Sequence, residues 1–135
     1  MKRYEQFSSH LDVLKKANEE DLDNTFIVSG IIDKFFIQFE LGWKLFKDLL
    51  RYEGRSEAAT GSPREVIKGA YKVYDFMSEE LWLEMLAERN NSAHLYDEEA
   101  AKTLVRHILE DYIDVFETTK KSLIKKYGED FLLKD

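Results

Sequence analysis

From Phe26 to Leu50 the sequence carries two apolar lines at helical spacing rather than one. Val28, Ile32, Phe35, Phe39, Trp43, Phe46 and Leu50 recur at steps of three and four, and a second line passes through Ile31, Leu41, Leu45 and Leu49. One stripe would satisfy a helix lying on a single layer, so two stripes demand burial on two faces. This helix is expected either at the centre of its own bundle or shared with another subunit.

The flanking segments supply helices to pack against it. Tyr4, Phe7, Leu11 and Leu14 line one side of a first helix, and Asp21 to Asn24 breaks the pattern. Gly54 and the stretch Ala58-Ala59-Thr60-Gly61 read as a loop. In Ser62-Pro63-Arg64-Glu65 a capping serine, a proline at the first helical position and a glutamate three residues after the cap open a short third helix through Val66, Ile67, Ala70 and Tyr74. Ser78 caps a fourth, with Leu81, Trp82, Met85, Leu86 and Arg89 in register. Asp97, followed by Glu98 and Glu99 to complement the helix dipole, caps a fifth through Ala101, Leu104, Val105, Ile108, Tyr112, Phe116 and Leu123, with Gly128 as its expected terminator. No segment alternates with period two for long, so the expectation is an all-α bundle of about five helices.

A chain of 135 residues suits a single domain, 1–135. Its apolar share of 44% and charged share of 35% are those of a chain that folds. It has no cysteine, which excludes disulfides, thiolate metal sites and cysteine nucleophiles and fits a reducing, cytoplasmic setting. The start, Met1 to Gln6, runs straight into a charged amphipathic pattern, and no apolar run approaches about 18 residues, so no membrane association is expected. A formal charge of −7 argues against a broad footprint on nucleic acid, and any RNA contact has to be local or completed by a partner.

One short segment stands apart, Arg89-Asn90-Asn91-Ser92-Ala93-His94-Leu95-Tyr96. On an unbroken helix Arg89 and His94 would lie roughly 140° apart, at about 100° per residue. Asn90, Asn91 and Ser92 compete for backbone hydrogen bonds, however, and favour a bend or an end there. Such a break would bring Arg89, His94 and Tyr96 to one surface. A guanidinium stabilises a phosphate or phosphorane and an imidazole exchanges protons near neutral pH, a pairing suited to metal-independent cleavage of an RNA phosphodiester. Taken alone, an arginine and a histidine at this spacing are more often structural, the histidine satisfying a helix end.

The string Arg89-x-x-x-x-His94-x-Tyr96 resembles the signature of HepT-type toxins of the HEPN superfamily. Phe39-Glu40-Leu41-Gly42-Trp43-Lys44, Ser62-Pro63-Arg64, and Trp82 ahead of Arg89-Asn90 are similar to the nucleotidyltransferase substrate-binding family. The resemblance implies an antiparallel up-and-down four-helix bundle with an additional short helix, forming a homodimer in which the Arg-x4-His segments of two subunits share a cleft. By the same resemblance Arg89 and His94 are the catalytic residues of a ribonuclease. The resemblance likewise implies that Tyr96 would be adenylylated by a partner minimal nucleotidyltransferase, which would thereby neutralise the toxin. Asn90 matches the Arg-Asn pair of the family and would bind substrate; a helix-end hydrogen-bonding role is at least as common for such a residue. The alternative is a non-catalytic subunit that presents its substrate, a nucleotide or small molecule, to a separately encoded nucleotidyltransferase, so that an RNA or a nucleotide is the expected substrate of one reading or the other.

Other candidates read as structural. Glu40 and Lys44 form an i, i+4 pair, with room for a buried polar role at a dimer seam. Trp43 and Trp82 fall in apolar registers and read as core or interface anchors. His10 and His107 lack a second histidine at ligand spacing, so no metal and no cofactor are expected.

Overall fold

The computed structural model describes residues 1–56 and 61–134. Among them the chain is helical throughout: α1 (Lys2–Lys15) with a 3₁₀ turn at Lys16–Glu19, α2 (Thr25–Tyr52), α3 (Pro63–Val73), α4 (Glu79–Asn90), a 3₁₀ turn at Ser92–Tyr96, α5 (Glu98–His107), a π-helical turn at Ile108–Tyr112, α6 (Ile113–Tyr127) and the short α7 (Glu129–Leu132). The caps expected at Ser62, Ser78 and Asp97 are made, Asn24 adds one at the start of α2, and α1 begins after Met1 without a side-chain cap. The Asn24 side chain accepts from the backbone N–H groups of Phe26 and Ile27, Ser62 from Glu65, Ser78 from Leu81, and Asp97 from Ala100. Gly128 ends α6 at φ +84°, a left-handed backbone that a side chain would strain. Of the loop expected around Ala58–Gly61, Gly61 takes φ +53° and Ala58, Ala59 and Thr60 lie outside the described residues.

The two apolar lines of α2 are explained within one chain, because α2 packs on α1, α3, α4 and α5 and sits at the centre of the bundle. Pairings along the helices fix the directions. Arg3 meets Asp48 while His10 meets Gln38, so α1 and α2 are antiparallel. Trp82 lies against Phe46 and Arg89 reaches Glu40, so α4 runs antiparallel to α2; Glu84 meets Tyr112 and Trp82 meets Phe116, so the α5–α6 arm returns antiparallel to α4. This is an up-and-down four-helix bundle with α3 as the additional short helix.

Trp82, fully buried, is its centre, edge-on to Phe46 and Phe116 with centroids 5.3 and 5.7 Å away. A polar bolt crosses the α1–α2 contact: the fully buried Gln38 donates from Nε2 to the Phe7 carbonyl at 3.0 Å and accepts at Oε1 from His10 Nδ1 at 2.7 Å. The π turn was not foreseen. Its wider winding shifts register within the arm, burying Ile108 and placing Tyr112 in a stack on Phe35 at 5.3 Å.

Candidate functional site

The end of α4 is built for a break. Asn91 closes the helix by donating from both its backbone N–H and Nδ2 to the Ala87 carbonyl, at 3.0 and 2.9 Å, which stops further winding. The chain then turns once as a 3₁₀ helix, whose three residues per turn send neighbouring side chains to different sides. Leu95 is the hook, packed against the core. His94 and Tyr96 on either side of it are left in solvent, and Tyr96 is 92% exposed.

His94 is oriented by its own turn. Its Nδ1 and its backbone N–H both meet the Asn91 carbonyl. A carbonyl only accepts, so the ring donates from Nδ1 and Nε2 is the ring nitrogen not used in this contact.

Arg89, in the last turn of α4, faces the middle of α2. Nη2 pairs with Glu40 Oε1 at 2.9 Å, and Nη1 donates to Asn90 Oδ1 at 3.3 Å. Glu40 is itself held: its Oε2 accepts from Trp43 Nε1 at 3.0 Å and lies 3.8 Å from Lys44 Nζ. The i, i+4 pair read from the sequence is therefore one edge of a larger cluster, centred on a carboxylate that reaches across the bundle. The sequence reading missed the Glu40–Arg89 contact; its one signal was a glutamate set between Phe39 and Leu41 on a helix with two apolar lines.

The structure thus joins Arg89 to Asn90 and puts His94 and Tyr96 on the adjoining exposed turn. No hydrogen bond or ion pair links Arg89, His94 and Tyr96 to one another among the described residues. Tyr96 also stands on a cleft of about 230 Å³ between that turn and the start of α2, lined by Leu22, Asp23, Thr25, Ser29 and Lys102 among others. A second cleft of about 560 Å³ shares Leu22, Asp23, Val28 and Lys102 with it and continues toward Arg106.

No helix among the described residues is long and apolar enough to cross a membrane, and no cluster of three or more potential metal ligands occurs among them.

A central buried tryptophan, a two-faced α2 and a polar, exposed break after α4 characterise this helical bundle. Residues 2–125 match the family described as nucleotidyltransferase substrate binding protein like, and the chain belongs to that family. Comparison with curated proteins gives no match.

Proposed function

We propose that this protein is a HepT-like endoribonuclease that works beside a separately encoded minimal nucleotidyltransferase in the cytoplasm. Arg89 stabilises the negative charge that builds on the scissile phosphate, and His94 transfers the proton at Nε2. The adjacent 2′-hydroxyl of the RNA attacks phosphorus, the 5′-oxygen leaves, and its proton balance passes through the imidazole. Two copies of the chain supply the two walls of the substrate cleft, and Asn90 assists in holding the RNA. Tyr96 is the off-switch: its phenolic oxygen attacks the α-phosphorus of ATP held by the partner enzyme, pyrophosphate leaves, and the phenolic proton goes to solvent. An AMP group on the turn then covers the site.

The observation that supports this reading is the 3₁₀ turn itself. It presents a histidine oriented by the Asn91 carbonyl and a nearly fully exposed tyrosine directly after an arginine anchored from below. Expressed without its partner, the protein is expected to slow growth, and His94→Ala to relieve the arrest. Equal arrest by the variant would refute the catalytic assignment.

The adjoining clefts beside Tyr96, together with the acidic charge, favour a second reading: a non-catalytic subunit that holds a nucleotide or small molecule for the nucleotidyltransferase. It requires a stable complex with that enzyme and no cleavage of RNA by the purified protein; a failure to associate would exclude it.

A further inference from the structure

Glu40 is more than half of a surface ion pair. Both of its carboxylate oxygens are engaged, one by Arg89 and the other by the indole N–H of Trp43. Trp43 is itself only 7% exposed and cannot swing away, so the carboxylate is fixed by a rigid donor. An arginine side chain in solvent samples many rotamers; one tied to a fixed carboxylate has already lost that freedom before substrate arrives.

The tie leaves the guanidinium usable. Of its five N–H donors, one is spent on Glu40 and one on Asn90, and the others remain for a bidentate contact with phosphate oxygens. The charges also leave a remainder. Arg89 and Lys44 share the single carboxylate of Glu40, so within these ion pairs two cations meet one anion. In a chain with net charge −7 this is a local attraction for a phosphodiester of the kind such a site needs.

We infer that Glu40 is the positioning residue of Arg89, holding the guanidinium ready for the RNA phosphate beside His94; the inference rests on the ribonuclease reading. Three proteins decide it: wild type, Glu40→Ala, and the charge swap Glu40→Arg with Arg89→Glu, each first shown to be folded by circular dichroism and thermal unfolding. Cleavage of a single-stranded RNA oligonucleotide is measured as kcat and KM separately. Glu40→Ala is expected to lose about 10²-fold in kcat with little change in KM, the cost of an arginine out of place. The swap is expected to recover the melting temperature lost in Glu40→Ala while leaving kcat low. A structural pair alone predicts a Glu40→Ala that loses melting temperature yet keeps the wild-type kcat, the swap being low in kcat on either reading because it removes the guanidinium from position 89. A second readout needs no turnover: the Nε–H resonance of Arg89 is followed while a 2′-O-methyl RNA hexamer, which cannot be cut, is added. It is expected to be sharp and to shift on addition in wild type, and to be averaged and unresponsive in Glu40→Ala. If wild type cuts no RNA, the ribonuclease reading falls and this second readout alone judges Glu40. A folded Glu40→Ala with the wild-type kcat, or with the wild-type Arg89 resonance and response, overturns the positioning role.

Discussion

Gly42 and Trp82 touch so closely that a Cβ on Gly42 would lie 2.6 Å from Cη2 of the indole. Phe7 closes the same space at 3.2 Å, and Trp82 is fully buried with no room to retreat. The glycine between Leu41 and Trp43 is thus the notch in α2 that admits the central tryptophan of α4. Gly42→Ala is expected to destabilise the fold by about 1–2 kcal/mol in urea unfolding, overpacking outweighing alanine's better helix propensity. Gly30 in the same helix has nothing within 4 Å of its would-be Cβ, and Gly30→Ala is expected to stabilise by about 0.5–1 kcal/mol.

Gln38 is the second test of the core. Truncating it to alanine removes the hydrogen bond to the Phe7 carbonyl and strips His10 of its partner, while leaving a void between α1 and α2. A loss of about 2–3 kcal/mol is expected by thermal or urea unfolding. A change below about 0.5 kcal/mol would show that the bolt contributes nothing.

Alkali should loosen the bundle through its buried phenols. Tyr127 is held protonated, above the ordinary phenol value, by burial first and then by its contact with Tyr74, whose hydroxyl lies 2.7 Å away. Burial followed by the charge of Glu84 does the same to Tyr112. A proton bound more tightly in the folded chain than in the unfolded one is a stabilising contribution that is complete below the unfolded phenol value, about 10, and is lost as pH rises toward the folded one. Stability is therefore expected to be insensitive to these groups at neutral pH and to fall above about pH 10. Tyr127→Phe should weaken that alkaline fall, as followed by melting temperature against pH.

The Tyr96 hydroxyl makes no hydrogen bond among the described residues and the residue is 92% exposed, so Tyr96→Phe is expected to leave stability within about 0.5 kcal/mol of wild type. After incubation with the partner nucleotidyltransferase and ATP, the intact mass of wild type is expected to rise by one or more AMP units and that of Tyr96→Phe to stay unchanged. The same mass gain in the variant would place the acceptor elsewhere.

Much of this was legible in the sequence because the signals are local. Capping side chains at Ser62, Ser78 and Asp97 act within a turn of themselves, and the apolar lines of α2 announce by periodicity alone a helix buried on two faces, its partners being left open until the packing is seen. The break after Arg89 follows from three residues that favour helix ends. What stayed hidden depends on distant partners. Glu40 and Arg89 are far apart in sequence, and nothing near either one names the other. Gln38 gives no local sign that it is buried, since its partners lie on α1. The π turn at Ile108–Tyr112 adds a residue to a helix whose apolar spacing still reads as continuous, so its register shift shows only in the packing of Tyr112 on Phe35.

The reading as a whole turns on one imidazole. His94 is exposed, so His94→Ala keeps the fold while removing the proton-transfer group. Purified wild type and His94→Ala are each incubated with end-labelled single-stranded RNA in the presence of a chelator. The account predicts cutting by wild type and a rate lower by about 10²–10⁴-fold in the variant. Equal rates from the two proteins, or intact RNA with both, would contradict it.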